Sequence, residues 1–158
     1  MTTKNAILIG CGVVAGLGLI LLVVVIFLVA HMAQDVEGIS VNVQGPTDVA
    51  MGETFGLKVV VTNERAGKSL EVSSIDIAEE YLAGFSVISM DPEPASSTHI
   101  PIDESRSFAF NADIPAGESR TFLFNLRAEK AGLYRGDVDT CEGMRFISTM
   151  AQTSVKEK

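Results

Sequence analysis

Residues 52–63 read GETFGLKVVVTN, and the reading of this stretch decides the fold. After the turn-forming Gly52-Glu53, apolar side chains recur at Phe55, Leu57, Val59 and Val61 until Asn63 closes the run. A period of two puts all four on one face of a β-strand, where they can be buried against a second layer. The same alternation extends in both directions. Ile39, Val41 and Val43 form a strand that ends at Gly45-Pro46. Leu70, Val72, Ile75 and Ile77 form another, with a slip of phase at Ser73-Ser74 where a β-bulge fits. Further strands are expected at 85–90, 105–111, 121–128, 133–140 and 144–155, with Phe108, Phe110, Phe122, Phe124 and Leu126 as core.

Gly and Pro punctuate these runs at Met51-Gly52-Glu53, 64–68, 91–94, Pro115-Ala116-Gly117 and Lys130-Ala131-Gly132. Short strands broken in this way give an all-β, two-layer antiparallel β-sandwich. Residues 76–82 are expected to add a helical turn, and the Pro-rich stretch 91–104 to cross between the sheets as a surface loop.

The amino-terminal part is of another kind. The chain has 158 residues with 12 Lys and Arg against 20 Asp and Glu, two His, two Cys and no Trp. Its mean hydropathy is nevertheless +0.31, because Asn5 to Ala33 contains no Asp, Glu, Lys or Arg. Ala6 to Met32 is long enough for a helix of roughly 40 Å, more than the ~30 Å of a bilayer's hydrocarbon core. The β-branched run Val23 to Ile26 would favour a strand in water, but an isolated strand in lipid leaves its backbone unpaired, so the helix is expected. The run is about twice the usual signal-peptide core and lacks a small-x-small exit, which argues for an uncleaved anchor. Leu8-Ile9-Gly10-Cys11 resembles a bacterial lipobox, but it opens the apolar run where a lipobox closes one, leaving Cys11 as a small residue at the membrane edge.

The organisation read from the sequence is therefore a cytoplasmic N-terminus at 1–5, a transmembrane helix at 6–32, a short linker at 33–38 and an extracytoplasmic sandwich at 39–158. Lys4 precedes the span, whereas Asp35, Glu37 and Asp48 follow it before the first basic residue, Lys58. The positive-inside rule then places the N-terminus in the cytoplasm and the domain outside the cytoplasmic membrane. Gly12 and Gly16 form a GxxxG on one helix face, which suits close packing against a second helix, of this chain or another.

Gly52-Glu53-Thr54-Phe55 leading to Asn63, Ile114-Pro115-Ala116-Gly117-Glu118-Ser119, and Ala131-Gly132-Leu133-Tyr134 together resemble bacterial extracellular immunoglobulin-like modules of the CARDB type. The resemblance spans about residues 39–140. It implies a sandwich with a binding, spacing or scaffold role and no catalytic residues.

The residues themselves offer little for catalysis. His31 stands at the membrane boundary and His99 in the Pro-rich loop, where neighbouring serines do not supply a base, an orienter and an oxyanion hole. Cys141 is expected in the turn Asp139 to Gly143, as a partly buried thiol or one that pairs between chains. Asp137 and Asp139 share a strand face, and with Glu142 they form the best carboxylate set for a metal such as Ca²⁺, against the simpler reading of a solvated face. The net acidity of the segment after residue 34 excludes a nucleic-acid partner. No cofactor is called for.

The functional expectation is a non-catalytic binding or assembly protein held at the bilayer, with another membrane or cell-envelope protein as partner. A pilin-like filament subunit and a carboxylate-based metal-dependent hydrolase remain as alternatives. A prepilin would need a processing site before the apolar run and a Glu five residues into it, and Gly10 to Ala15 offers neither.

Overall fold

The structure, a computed structural model, describes residues 18–27 and 37–157. The chain divides into two units, residues 1–34 and 35–158. In the first, residues 18–27 form helix α1, and every side chain from Leu19 to Phe27 is exposed. Among the described residues no helix is long and apolar enough to cross a membrane. The rest of the expected span, at 6–17 and 28–32, lies outside the described residues, as do Gly12 and Gly16.

The second unit is a two-layer β-sandwich. One layer has four strands in the order β1 (Ile39–Gln44), β3 (Thr54–Asn63), β8 (Ser119–Ala128) and β5 (Phe85–Asp91). The other has six, in the order β2 (Asp48–Ala50), β10 (Arg145–Lys156), β9 (Gly132–Glu142), β4 (Leu70–Ala78), β7 (Ser105–Ile114) and β6 (Ser96–Ile100). The inward faces interdigitate to form the core, with Leu57, Val59, Val61, Phe122, Phe124 and Leu126 from the first layer. Val72, Ile75, Ile77, Phe108 and Val138 answer them from the second. Alternation in sequence has become alternation across each sheet, which is the origin of the two-layer form.

Several details depart from the sequence reading. At Gly45-Pro46 the chain leaves the four-stranded sheet, because Pro46 has no N–H to continue the ladder. The next three residues, β2, then pair in parallel with the end of β10. The sandwich is therefore antiparallel except at this one edge. The stretch 91–104 does cross between sheets, but it is not all loop: Ser96–Ile100 is the edge strand β6, paired antiparallel with β7. The expected helical turn is α2 (Glu79–Leu82), and the bulge falls between Val72 and Ser74 as anticipated.

Tyr81 of α2 is fully buried, and its hydroxyl meets Thr153 Oγ1 at 3.1 Å. Gly136 of β9 lies beneath this helical turn, where a Cβ would come within 2.7 Å of the Ala78 Cβ and 3.0 Å of the Tyr81 Cβ. Only a residue without a side chain lets the strand and α2 approach so closely.

At the end of the sandwich where the chain enters, Asn63 is fully buried and all of its amide is used. Nδ2 donates to Lys68 O at 2.8 Å and Ile114 O at 2.9 Å, while Oδ1 accepts from Arg65 N at 3.1 Å. Its backbone N–H donates to Glu118 O and its carbonyl accepts from Gly117 N. Asn63 thus joins the β3–β4 and β7–β8 loops. Asn63→Ala is expected to cost about 2 kcal/mol, because the buried Ile114 carbonyl and two part-buried backbone groups lose their partner. Urea unfolding of the full chain in detergent measures it. Gly136→Val should destabilise comparably through the clash with α2.

Candidate functional site

Two groups of polar side chains are built into the sandwich, and the residues singled out in the sequence fall into both. Asp137, Asp139 and Cys141 lie at alternate positions of β9 and face outward from the six-stranded sheet. Register sets Asp76 of β4 directly opposite Asp139. The Cys141 thiol donates to Asp76 Oδ2 at 3.4 Å, and Ser148 of β10 hydrogen-bonds the Asp139 carboxyl. Asp76 Oδ1 and Asp139 Oδ1 are both buried without a hydrogen-bond partner. Two like groups opposite one another on paired strands repel. Burial, with Asp137, Asp76 and Asp103 adding repulsion, pushes the Asp139 carboxyl above the usual range in spite of Ser148.

Asp76 was missing from the sequence-derived set, since only the register of β4 against β9 brings it there. Glu142 was in that set and does not belong with it. It follows Asp139 by three residues, so strand alternation turns it to the other side. Among the described residues no group of three or more His, Cys, Asp or Glu is arranged to hold a metal ion. Beside the carboxylate row is an open cleft of about 430 Å³ lined by Glu80, Asp103, Glu104, Arg135, Asp137 and Met150.

Cys141 lies within β9 rather than in the turn, which is formed by Gly143 and Met144. It is 9% exposed, and burial together with the aspartates pushes its thiol up to about 12. A thiol so far above neutral pH is almost wholly protonated and a poor nucleophile. His99 is on strand β6, with Nδ1 at 3.4 Å from Glu79 Oε1, an oxygen that also receives Arg106 Nε at 3.1 Å. No base, orienter and oxyanion donors converge on it.

The second group stands where the chain enters the domain. Arg65 Nη1 and Nη2 donate to the two carboxylate oxygens of Glu142 at 2.6 and 2.7 Å, a bidentate pair with both side chains largely buried. Arg145 Nη2 adds a third donor to Glu142 at 3.0 Å. Arg65 Nε donates to Glu37 O at 3.1 Å, so one guanidinium ties the incoming chain to the β9–β10 hairpin. Gly38, with φ +71, lies on the Arg65 stem, where a Cβ would come within 2.7 Å of Cγ. Hydrogen bonding by Arg65, with the positive charges of Arg65, Arg145 and Lys68, holds the Glu142 carboxyl below its ordinary value.

No family model and no curated protein matches the sequence. Among solved structures, the sandwich is similar to the CARDB domain of the PF1109 protein from Pyrococcus furiosus, determined in complex with di-metal ions. The two are 14% identical over 76% of this chain and 94% of that one, with a TM-score of 0.50. AvmM, described as catalysing macrocyclization in alchivemycin A biosynthesis, aligns at 13% identity over 79% of this chain and 95% of its own, with a TM-score of 0.49. A β-glucosidase from Listeria innocua aligns at 15% identity over 76% of this chain but 16% of its own, with a TM-score of 0.44. The unit is a CARDB-like β-sandwich, and at these identities the likeness is one of fold.

The two carboxylates bend the stability–pH curve in opposite senses. The stability tied to Asp139 is fully present below its unfolded value, 3.8, and is lost as pH rises through the raised native value. That tied to Glu142 is present above its unfolded value, 4.5, and is lost as pH falls through the lowered native value. Asp139→Asn should therefore raise stability at pH 7 by about 0.5–1 kcal/mol and remove the alkaline-side loss. Arg65→Ala should lower it by about 2 kcal/mol, since a largely buried carboxylate loses two charge-assisted hydrogen bonds. Thermal unfolding from pH 3 to 8 checks both.

Proposed function

We propose that this chain is a single-pass membrane protein with its N-terminus in the cytoplasm, holding one CARDB-like sandwich outside the cytoplasmic membrane. It acts by binding or assembly and not by catalysis. The observation that carries this reading is the charge-free run from Asn5 to Ala33, whose described part is a helix with every side chain from Leu19 to Phe27 exposed. Such a surface is costly in water and at home in lipid. The fold supports the binding half of the reading, since sandwiches of this kind display surfaces on a rigid frame. The polar groups point the same way: the thiol is buried and protonated, and the histidine is paired on an edge strand. Asp76 and Asp139 together supply too few oxygens for Ca²⁺, which takes six to eight.

The partner we infer is another membrane or cell-envelope protein, met close to the bilayer. From Ala33 to Gly38 the linker spans only about 20 Å even when extended. Helix packing through Gly12 and Gly16 offers a route into a larger complex or a pair of chains. Mild-detergent extraction from the native membrane, followed by mass and composition of the particle, tests this. The expected result is a stable complex that Gly12→Leu with Gly16→Leu disperses, leaving a folded sandwich. A monomer in every mild detergent would speak against an assembly role.

A further inference from the structure

We infer that the β9–β10 hairpin rests on the membrane, with Met144 and Phe146 set into the headgroup region of the bilayer that the span at 6–32 crosses. This rests on the anchored reading above and adds to it a face and an orientation. The first argument is where the tether stops. Arg65 holds Glu37 O and Glu142 together, so the chain enters the domain beside the turn Gly143-Met144. Four residues separate Met32 from Glu37, a contour of about 18 Å at most. The 12 residues of β10 run about 40 Å from this end toward the other. The end that carries the hairpin is thus the one the tether keeps nearest to lipid.

The second argument is the chemistry of that end. Two-residue hairpin turns ordinarily carry Gly with Asn, Asp or Ser. Here the second position is Met144, 72% exposed, and Phe146 on the outward face of β10 is 51% exposed. Neither turn geometry nor core packing calls for a large apolar side chain at either place. This end carries Arg65, Lys68, Arg120 and Arg145 beside Glu37, Glu64, Glu71, Asp113, Glu118 and Glu142, so its acidity is modest where the domain as a whole is strongly acidic. A zwitterionic headgroup, which carries no net charge, is therefore not repelled where the tether brings it close. A short tether turns contact into an intramolecular event, so two apolar side chains suffice where they could not retain a free domain.

The chain contains no Trp, so a single substitution gives a unique fluorescent reporter. The full-length protein is reconstituted into phosphatidylcholine vesicles with and without lipids brominated on their acyl chains. Met144→Trp is the test and Phe146→Trp its repeat. Ile102→Trp, at a position 98% exposed in the loop beside α2, at the end of β4 and β7 away from the hairpin, is the control, and Phe27→Trp reports on the span. The expected result is a blue-shifted emission from Met144→Trp that brominated lipid quenches, with neither effect in Ile102→Trp. Quenching of Phe27→Trp but not of either hairpin reporter overturns the lipid contact and leaves the anchor standing. A blue shift at the hairpin without lipid quenching means that protein covers it, which also overturns the proposal, as does equal quenching of Ile102→Trp. If Phe27→Trp is unquenched and the chain does not float with the vesicles, the anchored reading fails and this inference with it.

Discussion

The fully buried amide of Asn63 is the contact on which the arrangement of the end where the chain enters the domain depends. A buried amide without partners would cost several kcal/mol, and here every donor and acceptor is used. The carbonyls it satisfies belong to the β3–β4 loop and to the end of β7, so the two layers are joined at one point. Because Asn63 Oδ1 also accepts from Arg65 N, the backbone of that arginine is fixed in place. Its guanidinium can then bridge Glu37 and Glu142 without first being ordered. One side chain at the end of one strand thus governs where the chain enters the fold.

The contrast between the two polar groups explains which of them adds to stability. Glu142 is held by complementary charge with good geometry, and its carboxyl is correspondingly acidic. Asp139 faces another aspartate across the sheet and titrates in the opposite direction. Both lie on β9 only three residues apart, so the difference comes from which face of the sheet each side chain takes. The fold accommodates the unfavourable pair because the core beneath it is closely packed and far larger in its contribution.

Strand periodicity made most of this legible in advance. Phe55 to Val61, Leu70 to Ile77 and Phe122 to Leu126 form the facing core layers, and the Ser73-Ser74 slip marks a real bulge. What escaped was structure that burial does not write into sequence. The β6 segment SSTHI has no apolar alternation because it is an exposed edge, held by backbone bonds to β7. The three residues of β2 are too few to show a period. Asp76 could be joined to Asp139 only through strand register, a long-range property that local pattern cannot supply. Glu142, by contrast, could have been separated from Asp137 and Asp139 by counting parity along β9.

The most direct test of the account is labelling of Ile102→Cys, made together with Cys11→Ser, with a membrane-impermeant maleimide in right-side-out vesicles washed at alkaline pH. Ile102 is exposed, while the native Cys141 is buried and protonated, so the label reports on the domain's surface. The account predicts a protein that stays with the washed membrane and is labelled without lysis. Loss of the protein to the alkaline wash, or labelling only after the vesicles are opened, would contradict it.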